Sequence, residues 1–161
     1  VSETTNKTIR AASQADTELI AGVLMDSFIE YEPLYTPEGF AATALNARDV
    51  TARLTEGPVW VALSDNQLVG TMSVVVKGDA VYIRGMAVLP VSRGQGIGKM
   101  LLDHAEKYAR AKACKRLSLS TTPFLIEAIQ LYERSGFVRT EEEPHDLFGT
   151  PLFSMQKTLS A

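Results

Sequence analysis

The stretch Arg84–Met100 constrains this chain more than any other part of it. An apolar, strand-like run ends at Val88-Leu89-Pro90, a hinge holds Gly94, Gly96 and Gly98, and a long amphipathic segment follows. Glycines keep side chains out of the turn and the first helical turn, so another molecule can lie close to the backbone. The unpaired N–H groups at a helix start make that place an anion site, above all for phosphate. Arg93 and Lys99 add positive charge beside it. A flexible loop with a solvated arginine has the same composition; the order strand, turn, helix is what sets this stretch apart.

The rest of the chain reads as alternating patterns around that hinge. Val1–Lys7 is a polar leader, and Thr8–Ala12 a short first strand. Ser13 can cap a helix carrying Ile20, Val23, Leu24 and Phe28 at helical spacing. Glu30–Phe40, with two prolines, a glycine and several aromatics, reads as a structured loop. Tyr31, Tyr35 and Phe40 either pack that loop on the core or wall a substrate site. Ala41–Leu54 reads as a second helix ended by Gly57-Pro58.

Val59–Leu63, Leu68–Val76 and Val81–Leu89 are strands joined by short turns, most simply an antiparallel meander. Trp60 belongs to the core or a sheet face. After the hinge, Ile97, Leu101, Ala105 and Ala109 share one helical face, with His104 expected on the solvent side. Arg116–Thr121 is a further strand, placed parallel to the one before the hinge because a helix lies between them. Pro123 suits the first turn of the next helix, and Gly136 its left-handed end. Phe137–Thr140 and Thr150–Lys157 close the chain as strands around an acidic loop, Glu141–Asp146. The pattern predicts one α/β domain over 1–161: a mixed, mostly antiparallel sheet of six or seven strands with helices over both faces.

Two pieces of sequence, in order, resemble one family. Arg93-x-x-Gly96-x-Gly98 after a strand is similar to the acyl-CoA pyrophosphate motif of the GCN5-related N-acetyltransferases (GNAT). Ala128-Ile129-Gln130-Leu131-Tyr132-Glu133-Arg134-Ser135-Gly136-Phe137 resembles the helix and turn that close the same site. The resemblance implies that the fourth and fifth strands splay apart and admit the pantetheine arm of acetyl-CoA. It assigns cofactor binding to Met86, Ala87, Val88, Arg93, Gly94, Gln95, Gly96, Ile97, Gly98 and Lys99, with Leu119 on the facing strand. Tyr132 matches the family tyrosine that protonates the departing thiolate. One position departs: where relatives often carry Asn, three residues before the matched alanine, this chain has Leu125, which cannot make amide contacts.

The chemistry so implied is transfer of acetyl to the primary amine of a small molecule by direct attack in a ternary complex. Acetylation of a protein N-terminus or lysine, and acyl-CoA binding without catalysis, are the alternatives. Acyl transfer needs placement, an N–H aimed at the developing oxyanion, a proton donor near sulfur and a route for the amine proton. The motifs leave the base open among Glu30, Glu32, Glu38 and His145; these acidic borders suggest a cationic acceptor.

Composition closes off other classes. A net charge of −3, from 16 Lys and Arg against 19 Asp and Glu, provides no basic field for nucleic acid. Cys114 is the single cysteine, and Cys114, His104 and His145 have no metal-site spacing. The polar start does not read as a signal peptide, and no run reaches the roughly 18 apolar residues of a membrane helix. A cytoplasmic protein without metal is expected, with homodimerisation through the late strands a family expectation. The hinge lacks Gly-x-Gly-x-x-Gly, and Gly98-Lys99 is followed by Met100 rather than Ser or Thr, which disfavours dinucleotide and Walker sites.

Overall fold

A computed structural model describes residues 6–160. The leader expected over Val1–Lys7 lies outside the described residues as far as residue 5. In chain order the elements are β1 (Lys7–Ala11), α1 (Thr17–Phe28), α2 (Pro37–Thr43), α3 (Ala47–Glu56), β2 (Val59–Ser64), β3 (Gln67–Lys77) and β4 (Ala80–Val88). There follow α4 (Ile97–Ala111), β5 (Arg116–Thr121), α5 (Ile126–Arg134), β6 (Val138–Arg139), β7 (His145–Leu147) and β8 (Thr150–Thr158). The sheet runs β1-β2-β3-β4-β5-β8-β6, with β7 also on β8. β4 and β5 are parallel; the other pairings are antiparallel.

Period-two alternation builds the two cores. In β2, Trp60 and Ala62 pack on the face covered by α4 and α5, and Val59 and Val61 on the face covered by α1 and α3. The α4 stripe is the one its spacing dictates: Ile97, Leu101, Ala105 and Ala109 are all buried, against Met72, Leu117 and Phe137. β2 and β3 join through Asp65 and Asn66, both at positive φ, as a two-residue hairpin requires.

Five expectations need correction. The Glu30–Phe40 segment is not a loop throughout: Ile29–Leu34 is a 3₁₀ helix, and α2 begins at Pro37 because the Thr36 hydroxyl accepts from Gly39 N–H at 3.0 Å. The single helix expected over Ala41–Leu54 is two helices, since Asn46 accepts from Asp49 N–H at 2.9 Å and starts α3 afresh. Pro123 precedes α5, in a turn closed by Leu125 N–H to Thr122 O at 3.2 Å. His104 is half-buried, its ring edge-on to Trp60 at 4.6 Å, because α4 covers the sheet more widely than its narrow apolar stripe. Finally, the charged loop hides a strand: His145–Leu147 pairs with Pro151 and its neighbours, making eight strands among the described residues.

Candidate functional site

The site begins where two strands stop pairing. β4 and β5 are joined from Ala80 and Arg116 to Ile83 and Leu119, and no further. On the other edge of β4, Ser73 faces Arg84 and Thr71 faces Ala87, so Gly85 and Met86 together stand against Met72. This bulge needs a left-handed residue, which Gly85 supplies at φ +63°. A bulge bends its strand, and beyond it the β5 side of β4 has no strand partner. The opening between β4 and β5 thus begins next to the Gly85 bulge.

At the end of β4 the chain turns through Pro90–Ser92 and the glycines into α4. Gly96 is the N-cap at φ +83°, and the first bond into the helix is Met100 N–H to Gly96 O at 3.0 Å. The N–H groups of Ile97, Gly98 and Lys99 thus have no helical acceptor and face an anion site. Gly98 serves packing instead: a Cβ there would lie 2.6 Å from Leu131 Cδ2, so glycine lets α5 approach α4.

A cleft of about 580 Å³ opens in front of this turn. Met86, Ala87, Val88, Arg93, Gly94, Gly96, Ile97, Gly98, Lys99 and Tyr132 line it, as does Leu125. Gln95 does not; its carbonyl faces outward and accepts from Lys7 Nζ at 2.7 Å. Leu119 lines a different cavity. Arg93 lies at the cleft, but its guanidinium is engaged by Glu30 at 2.9 Å and by the carbonyls of Ser27 and Val88 at 3.0 and 3.3 Å. Lys99 pairs with Asp103 at 2.9 Å and stays exposed.

The second cavity, about 330 Å³, is lined by residues of both β4 and β5. It meets the cleft at Phe28, Met86, Leu125, Ala128 and Tyr132, which line both. Tyr132 is 8% exposed, with its ring 5.9 Å from Phe137. Burial, with a smaller push from Tyr35, raises its phenol to about 12, so it holds its proton throughout the neutral range. Tyr35 lines the second cavity and Tyr31 the cleft; the aromatic segment both packs and walls the site.

Two arginines that the sequence did not single out also line the second cavity. Arg53, from α3, donates to Ser73 Oγ at 3.2 Å, and burial lowers its pKa, helped by nearby Arg84. Arg84 donates through Nη2 to Glu56 at 2.6 Å, while its Nε is buried without a hydrogen-bond partner. An arginine inside the otherwise apolar run Val81–Leu89 was the available signal. No carboxylate or imidazole lines this cavity among the described residues. Of the groups considered as base, Glu30 is held by Arg93, Glu32 lines neither cavity, and Glu38 stands in an outer recess with Asp49 and Glu56. His145 Nε2 lies 3.3 Å from Ser120 Oγ, which does line the cavity.

A parallel pair that opens beyond a bulge, a glycine turn at a helix N-terminus and a tyrosine between two cavities define an acyltransferase architecture of the GNAT type. Residues 23–137 match the Acetyltransferase (GNAT) family model, and the chain belongs to that family. It is 30% identical over 135 residues to the uncharacterized N-acetyltransferase YjgM of Escherichia coli (strain K12), covering 80% of each protein. It is 30% identical over 138 residues to the aminoalkylphosphonate N-acetyltransferase of Salmonella typhimurium (strain LT2), covering 80% of this chain and 83% of that one. In structure it is similar to the PaiA N-acetyltransferase of Thermoplasma acidophilum in complex with coenzyme A, with a TM-score of 0.82, 20% identity, and 96% and 99% of the two chains covered.

Proposed function

We propose that this protein transfers an acetyl group from acetyl-CoA to the primary amine of a small molecule, by direct attack in a ternary complex. The observation that carries the proposal is the position of Tyr132 where the cleft and the second cavity meet. Two ligands entering from opposite sides would meet at one buried hydroxyl.

The open N–H groups of Ile97, Gly98 and Lys99, with the room around Gly94 and Gly96, suit the diphosphate of coenzyme A. The β5-facing edge of Met86–Val88 has no strand partner, although Ser27 and Arg93 hold the Val88 carbonyl, and it suits the pantetheine arm and can aim an N–H at a developing oxyanion. When bound, acetyl-CoA supplies an acetyl thioester, a reactive acyl donor with a thiolate leaving group. Tyr132 keeps its Oη proton in place for the departing sulfur. The burial that strengthens the phenol's hold on that proton also raises the proton affinity of an anion formed beside it. Ser120 Oγ, next to His145, offers the amine proton a way out of the cavity.

A cavity of about 330 Å³ behind the tyrosine favours a small acceptor over a protein tail. The aminoalkylphosphonate enzyme among the relatives acts, by its name, on a small amine. Residues 1–161 act here as one transferase unit, in the cytoplasm, with self-association through the late strands.

The test is free-CoA release from acetyl-CoA across small amines, amino acids, polyamines, amino sugars and short peptides, with mass analysis of the product. Release dependent on one small amine, with a matching acetyl mass gain, is the expected result. Reaction only with peptides would move the acceptor to protein amines. Tight acetyl-CoA binding with no transfer to any acceptor would make this a binding domain.

A further inference from the structure

The acidic segments of the sequence suggested a cationic acceptor, but the cavity built behind Tyr132 has the opposite lining. Its two charged side chains among the described residues are Arg53 and Arg84, brought together from α3 and β4. Glu56 bonds Arg84 at 2.6 Å and is itself half-exposed, outside the cavity. Arg53 donates to a serine hydroxyl at 3.2 Å, and Asp49 and Glu56 act on it from the outer recess that both arginines also line. These carboxylates lie on the outer side, and toward the cavity the two guanidiniums meet no carboxylate among the described residues.

The hydrogen-bond inventory points the same way. Arg84 Nε is buried with no partner, and Arg84 lines this cavity, where the Thr122 side chain already serves the Tyr35 hydroxyl. Buried donors are seldom left open, because an unmade bond to a charged group costs more than a neutral one. The unpartnered Nε–H of Arg84, with the Arg53 guanidinium beside it, matches the planar or tetrahedral oxygens of an anion. Arg84 and Met86 stand two residues apart on β4, across the Gly85 bulge and so at most about 7 Å along the strand. One compact molecule can thus span from the guanidiniums to the Tyr132 end.

Resting on the acetyl transfer proposed above, we infer that the acceptor is a compact amine carrying an anionic group, carboxylate or phosphonate, bound by Arg53 and Arg84 in the cavity behind Tyr132. The arginines hold the anion, and the amine is directed toward Met86 and Tyr132. Amines without an anion lose this anchor, and polyamines meet like charge. Arg53 and Arg84 are positioning residues in this scheme, since neither touches the reacting atoms.

The decisive experiment is equilibrium binding by isothermal titration on the full chain, with no turnover required. β-Alanine and 2-aminoethylphosphonate are compared with the neutral 2-aminoethanol, for the parent protein, Arg53→Met, Arg84→Met and the charge-keeping Arg84→Lys. The expected result is at least tenfold tighter binding of an anionic amine by the parent. That preference should collapse toward unity in both Met variants and recover in part in Arg84→Lys. The stronger of the two anionic probes tells carboxylate from phosphonate. Equal binding of neutral and anionic probes by the parent overturns the inference, as does a preference surviving in both Met variants. Loss of folding in a variant, read by circular dichroism, leaves the parent comparison decisive. Anion-selective binding with no acetyl transfer would overturn the proposed activity and keep the anion site.

Discussion

Arg93 Nη1 lies 2.9 Å from Glu30 Oε1, so the arginine of the glycine motif ties the end of β4 to the 3₁₀ segment after α1. Its other donors hold the carbonyls of Ser27 and Val88. Arg93→Ala should therefore act first on stability. Bonds to a charged donor contribute about 1.5–3 kcal/mol each before solvent exposure reduces them. A net loss of about 1–2 kcal/mol, or a Tm lower by roughly 2–8 °C, is expected from thermal unfolding. Acetyl-CoA affinity should weaken less than about tenfold, because backbone N–H groups do most of the holding. A much larger loss of affinity at unchanged Tm would return the arginine to the diphosphate.

Tyr132→Phe removes one buried hydroxyl at the junction of the two cavities. Turnover should fall by about 10²-fold, at the low end of general acid catalysis, with the KM for acetyl-CoA within about threefold. The parent's phenol titrates at about 12, above its ordinary 10.0, because it is buried. Deprotonation of Tyr132 should thus contribute no fall in kcat below about pH 11. Full turnover in the Phe variant would contradict this role, and an alkaline limb near pH 10 that vanishes in it would keep the role but contradict the raised phenol pKa.

Asp16 accepts from Arg10 at 2.8 and 2.9 Å and from Ser13 N–H at 2.8 Å. The Arg10 hydrogen bonds hold its carboxyl down to about 2, from an ordinary 3.8. A lowered folded-state pKa means stability that is complete above pH 3.8 and is lost as pH falls through about 2. Asp16→Ala should lower the Tm by roughly 2–4 °C at pH 7, for about 1 kcal/mol given the half-exposed Arg10. Melts at decreasing pH should show that gap closing between about pH 4 and pH 2. A gap that stays constant over this range would mean the carboxylate charge is not what stabilises the turn.

Gly96 and Gly22 should respond oppositely to alanine. Gly96 sits at φ +83°, where a Cβ costs about 1–2 kcal/mol, although nothing lies within 4 Å of it. Gly96→Ala should unfold at a lower temperature and bind acetyl-CoA about tenfold more weakly, since the turn must relax. Gly22, in the middle of α1, has open space and no positive φ. Gly22→Ala should gain up to about 1 kcal/mol and leave acetyl-CoA binding alone. Titration calorimetry and melting curves on the two variants separate backbone strain at Gly96 from the helix-propensity gain at Gly22. Equal effects from both would refute the distinction.

What the amino-acid sequence determined by itself was whatever depends on neighbours along the chain. The α4 stripe, the hairpin at Asp65-Asn66, the glycine turn and the α5 segment ending at Gly136 follow from periodicity and backbone preference within a few residues. From these came the sheet order around the hinge and the wall of the cleft. Tertiary structure alone decided what depends on distant residues meeting. It set Arg53 of α3 beside Arg84 of β4, His104 against Trp60, and Leu119 in the second cavity rather than the cleft. It also turned the acidic segment's Glu30 toward Arg93 and left the cavity behind Tyr132 without a carboxylate among the described residues. Charge written along a sequence carries no direction, so the sign of a pocket follows from packing, which closes only when the sheet and both helical layers are in place.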